Sequence, residues 1–147
     1  MNKLIWIVVT LIAGAFLPIQ AGLNSKLGKS GGSPLHASMI SFIIGALAVA
    51  IYLAVTRQTV SWAGIKAAPA YAWLGGILGA FYVSVVILAF PQLGPALTFG
   101  LVVAGQMLIS ALLEHFNILV AQQHSMNIWK LAGYLLIIAG VVIVRKF

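Results

Sequence analysis

The chain reads as an all-α integral membrane protein of five transmembrane helices, suited to forming an antiparallel, inverted-repeat dimer of ten helices. Three observations carry that expectation. Of its 147 residues, 63% are hydrophobic and 6% charged, whereas a soluble domain carries about 25% charged residues. Such a chain cannot build a wet surface and must meet lipid. Apolar runs long enough to cross a hydrocarbon core of about 30 Å recur along the sequence. The Lys and Arg residues at the ends of those runs divide evenly between the two expected membrane faces.

The first run spans roughly Leu4–Leu23. Lys3 and the small residues Ala13, Ala15 and Ala21 give it the look of a secretory signal, but more membrane follows it, so it is read as a first span. The second run, Leu35–Thr56, is set off by Gly31, Gly32, Ser33 and Pro34, with the proline suited to a helix start. Arg57 to Pro69 is a polar connector in which Trp62 can sit at headgroup depth. The third run is Ala70–Phe90, and the fourth is Ala96–Leu113. Between them, Phe90 to Pro95 is expected to form a tight turn whose two prolines close one helix and open the next. Phe116 to Ala121 is again apolar, so the fourth helix has the option of running on past Glu114. The fifth run is Ile128–Val144. None of the runs alternates as barrel strands do.

Five spans put the termini on opposite sides. The N-terminal side collects Lys3, Arg57, Lys66 and Lys130; the other collects Lys26, Lys29, Arg145 and Lys146. Lys/Arg asymmetry normally sets orientation, and here it cancels. Either another influence imposes one orientation, or copies insert both ways and pair head to tail. The formal charge of +7 arises from eight basic residues against one acid. The basic residues sit at the ends of apolar runs, not in a patch, so they read as interfacial anchors and not as a nucleic-acid surface. There is no cysteine, which excludes disulfides and thiolate metal sites. No zinc-protease, phosphate-loop or Ser–His–Asp pattern occurs, so no enzyme, metal or cofactor is expected.

Polar residues inside spans are costly and point to function. Gln20 and Asn24 lie four apart on one face of the first helix. Pro18 removes the donor for the carbonyl of Gly14, which suggests a helix break exposing that carbonyl, or a simple kink. Gln106, Ser110 and Glu114 form a polar stripe on the fourth helix, and Tyr82 is deep enough to line a cavity. Glu114 is the only acid, a candidate for cation or proton binding or else a helix-end residue at the headgroups. In an inverted pair, each mouth would combine Gln20 and Asn24 of one subunit with Glu114 of the other. His36 and His124 fall in or beside loops. His115 adjoins Glu114 but faces elsewhere. Trp6, Tyr71, Trp73 and Trp129 suit an interfacial belt. Small residues that let helices approach recur at Ala72, Gly76, Ala80 and Ser84, at Gly100 and Ala104, and at Gly133 and Gly140, the last pair a candidate dimer seam.

Several of these segments carry a resemblance. Gly14-Ala-Phe-Leu-Pro18-Ile-Gln20-Ala-Gly-Leu-Asn24-Ser-Lys-Leu-Gly28 resembles the opening of the small YdcZ-like family in the drug/metabolite transporter superfamily. Similar matches are Ser41 to Gly45, Trp73 to Val83, Val103 to Gln106, and the closing helix Gly133 to Val141. Glu114-His115-Phe116-Asn117 is similar to the family's acid–His–Phe–Gly element, with Asn117 in place of glycine. The resemblance implies a five-helix unit that pairs, inverted, with itself or a close paralogue. It also implies roles for Gln20, Asn24, Gln106 and Glu114. Multidrug relatives keep an essential acid in the first helix, where this sequence has none. The expected function is a secondary transporter subunit moving a small solute by alternating access in a bacterial inner membrane. A small dual-topology ion channel and an accessory subunit of a heteromeric transporter are the alternatives.

Overall fold

The computed structural model describes residues 2–120 and 126–147, so His124 lies outside the described residues. Helices α1 (Lys3–Ser30) and α2 (Pro34–Val55) are followed by a short helix α3 (Trp62–Lys66) and a single 3₁₀ turn (Ala70–Trp73). Helices α4 (Leu74–His115) and α5 (Ile128–Lys146) complete the chain. Four of these helical segments are long and apolar enough to cross a membrane. The longest of them is two helices in one, divided at Gly94.

The boundaries follow local chemistry. Asn2 caps α1 by accepting from the Leu4 amide at 3.3 Å, and the helix runs 28 residues, further than the apolar run alone indicates. The predicted break at Gly14 and Pro18 is absent. Helix α1 is continuous with Pro18 inside it, because a missing amide removes one hydrogen bond while the turns on either side hold the backbone. Gly31 and Gly32 end the helix, Gly32 at φ +69, and Ser33 caps α2 by accepting from the His36 amide.

At the end of α2, Gln58 N–H donates to Leu53 and Arg57 N–H to Ala54. This Schellman closure places Arg57 itself in the left-handed region, at φ 50. The connector expected between Arg57 and Pro69 contains α3, capped by Ser61.

The segment around Pro91 differs from expectation. Backbone geometry stays helical through Pro91 and departs only at Gly94, with φ 76 and ψ 164. That region is open essentially to glycine alone, and Pro95 next to it disfavours the α conformation at Gly94. The fourth helix stops at His115 and does not run on. Ile118 N–H donates to Leu113 and Asn117 N–H to Glu114, again a Schellman closure with Asn117 left-handed at φ 53. Asparagine tolerates that conformation better than most residues, which answers the substitution for glycine noted above.

The chain forms two compact units, Met1–Gln92 and Leu93–Phe147. In the first, α1 and α2 pack through Ala21, Asn24, Ser25 and Gly28 against Ala37 and Ser38, all buried. Gly28 allows the closest approach: a Cβ there would stand 3.1 Å from Pro34 Cα. Phe90 covers Gly22, and Phe42 covers Gly79. In the second unit Val141 of α5 sits 3.2 Å from where a Gly100 Cβ would be, so this glycine serves packing within the chain. Small residues thus carry the helix contacts, as expected where lipid removes the hydrophobic drive between helices. Large side chains point outward: Trp6, Trp73 and Trp129 are all exposed, a surface suited to acyl chains and headgroups.

Candidate functional site

In the first unit α2 presents Ser38 and Ser41, one turn apart, to two different helices. The Asn24 amide Nδ2 of α1 donates to Ser41 Oγ at 3.1 Å. The Ser84 hydroxyl of α4 donates to Ser38 Oγ at 3.0 Å. Asn24 and Ser38 are buried, so each bond meets a polar group that would otherwise be desolvated without a partner. The result is a polar seam through three apolar helices.

Gln20, one turn before Asn24, is exposed and fronts two spaces. The narrower is a void of about 10 Å³ bounded by Gln20, Asn24 and Tyr82 with Leu17, Val83 and Ile87. A single water needs about that much space. The wider is an open groove of about 560 Å³ bounded by Gln20, Ser41, Phe42, Gly45, Val49 and Val83. Three of the residues singled out in the sequence, Gln20, Asn24 and Tyr82, therefore meet at one place. Ser38 and Ser84 complete the seam without having been expected there. Their hydroxyls are common on transmembrane helices, and Ser84 looked like one member of a small-residue stripe.

The second unit carries Gln106, Ser110 and Glu114. Gln106 is exposed, and Ser110 and Glu114 are half-buried. Lys130 Nζ donates to Glu114 Oε2 at 2.7 Å, with each side chain 29% exposed. This ion pair joins the end of the fourth helix to the first turn of α5. Lys130, expected as an interfacial anchor, is thus also the partner of the single acid. Asn127 caps α5 by accepting from the Lys130 amide at 2.8 Å, which holds the lysine's backbone at the helix start. His115 is exposed and turns its ring edge-to-face on Phe116. Thr98 Oγ1 is buried without a hydrogen-bond partner among the described residues. At Gly133 and Gly140 a Cβ would meet nothing within 4 Å among the described residues, unlike the filled position at Gly100.

The family described as "Putative inner membrane exporter, YdcZ" matches residues 5–143, nearly the whole chain. No curated protein and no solved structure matches it.

Proposed function

The chain belongs to the YdcZ family, whose description names an inner membrane exporter, and from that premise we propose that it is a secondary transporter subunit moving a small solute by alternating access. The supporting observation is the meeting of Gln20, Asn24 and Tyr82 at a void of about 10 Å³ beside a groove of about 560 Å³. A solute in the groove meets the Gln20 amide, and the Asn24–Ser41 and Ser84–Ser38 hydrogen bonds form a polar constriction beyond it. Opening the constriction exchanges those bonds for bonds to the solute. A solute that binds the open state better than the closed one shifts the equilibrium toward opening. In the second unit, Gln106, Ser110 and Glu114 are the candidates for a solute or ion path.

The working assembly in this reading is an antiparallel homodimer, or a pair with a close paralogue, inserted in both orientations. Balanced anchors permit it, and the bare face at Gly133 and Gly140 suits a close helix contact with a second copy. Inversion brings one subunit's Glu114 to the membrane side of the other's Gln20 and Asn24. Saturable counterflow of solute in proteoliposomes, lost on Asn24→Leu and on Gln20→Leu, is the expected result. Voltage-dependent current without saturation would favour a channel instead. C-terminal reporters should appear on both membrane faces; a single orientation refutes the inverted pair.

A further inference from the structure

Two clefts beside the C-terminal end of α1 lie outside the polar seam. One, of about 430 Å³, follows α1 from Pro18 to Lys29 and is walled by Phe90 and Pro91. The other, of about 310 Å³, shares Ser25, Lys29 and Pro91 with it. Positions 18, 22, 25 and 29, with 19, 23 and 26, recur at three- and four-residue steps, so one helix face forms the wall. At 1.5 Å per residue that wall is about 16 Å long. It is graded along its length. Ile19, Leu23 and Phe90 make one end apolar, and Ser25, Lys26 and Lys29 make the other polar and doubly positive.

The charge is uncompensated locally. Residues 1–92 contain no Asp or Glu, and the one acid of the sequence is held by Lys130. Lys26 and Lys29, three apart, repel each other although the helix end favours both. A cation in this cleft would meet two like charges, and a neutral solute would leave them uncompensated. We infer that the cleft is the port for an amphipathic organic anion, its head between Lys26 and Lys29 and its apolar body along Ile19, Leu23 and Phe90. Gln20 lies about 9 Å along the helix from Lys26 and lines neither cleft. This rests on the exporter reading above and names its substrate class: single-chain or compact anions, not lipophilic cations. An anionic lipid headgroup shares the chemistry, but the space is at the small end of the range that holds a drug-sized ligand. It suits one short apolar body and not a two-chain lipid.

The test uses the full chain in neutral maltoside micelles, with labelled decanoate binding measured by equilibrium dialysis. Decanol and decyltrimethylammonium, of equal chain length, serve as competitors. Decanoate should bind, weaken with salt, and resist both competitors. Lys26→Gln with Lys29→Gln should weaken binding by about tenfold or more. Lys26→Arg with Lys29→Arg and Arg145→Gln with Lys146→Gln should leave it intact. Ile19→Trp, which fills the cleft without touching charge, should abolish binding and guards against misfolding of the lysine variant. Equal binding of decanol or the cation, or indifference to loss of both lysines, overturns the port. So does displacement of decanoate by phosphatidylglycerol in nanodiscs, which assigns the cleft to lipid. Lysine-dependent binding without decanoate counterflow overturns the exporter reading and leaves the port; counterflow unaffected by lysine loss does the reverse.

Discussion

Separating Glu114 from Lys130 tests whether the single acid is a structural tie or a free ion-binding group. The 2.7 Å contact between Nζ and Oε2 is a short charge-assisted hydrogen bond. Two unit charges about 4 Å apart attract by about 4 kcal/mol at an effective dielectric of 20. Dehydrating both groups offsets part of that, and with each side chain 29% exposed solvent screens more. A net coupling of about 1–2 kcal/mol remains. Both groups have further interactions, so Glu114→Gln or Lys130→Gln alone should cost more, about 1.5–3 kcal/mol. The coupling is isolated by a double-mutant cycle, read by reversible unfolding in mixed micelles. Glu114→Lys with Lys130→Glu should recover most of the lost stability. Single costs that add to within about 0.5 kcal/mol would refute the tie. Transport then divides the roles: a charge-swapped pair that is stable but inactive, or whose pH dependence is lost, assigns coupling to a carboxylate at 114.

Three further outcomes follow from the packing. Asn24→Ala removes a buried hydrogen bond and orphans Ser41, so thermal unfolding should report a loss of about 1–2 kcal/mol; Asn24→Ala with Ser41→Ala should cost less than the two separate losses summed. Gly28→Ala forces a Cβ to 3.1 Å from the Pro34 backbone and should destabilise by about 1–3 kcal/mol, whereas Gly14→Ala meets nothing within 4 Å and should stabilise the helix by up to about 1 kcal/mol. Equal effects at the two glycines would refute the close α1–α2 approach. Asn117→Gly should be neutral and Asn117→Val should cost about 1–2 kcal/mol, because φ is 53 there; the midpoint of denaturant unfolding decides.

Much of the candidate site was visible as residue types before any contact was known. Gln20 and Asn24 share a helical face by spacing, and Tyr82 is polar and deep in an apolar run. The structure brings all three to one void. Of the break and the kink that Pro18 allowed, the break does not occur, since the turns around the proline hold α1 continuous. Ser38 and Ser84 could not be singled out, because their pairing spans 46 residues and no local pattern encodes it.

Composition and the lengths of the apolar runs alone show that this chain meets lipid with helices and roughly where those helices lie, although α1 outruns its apolar stretch and the segment before Gly94 stays helical through Pro91. Those properties depend on solvent preference and local backbone chemistry, which each segment carries within itself. Partners are another matter. Asn24 with Ser41, Ser38 with Ser84 and Glu114 with Lys130 are 17, 46 and 16 residues apart. Which polar group satisfies which is decided only when small residues such as Gly28 let whole helices come together and expel the alternatives.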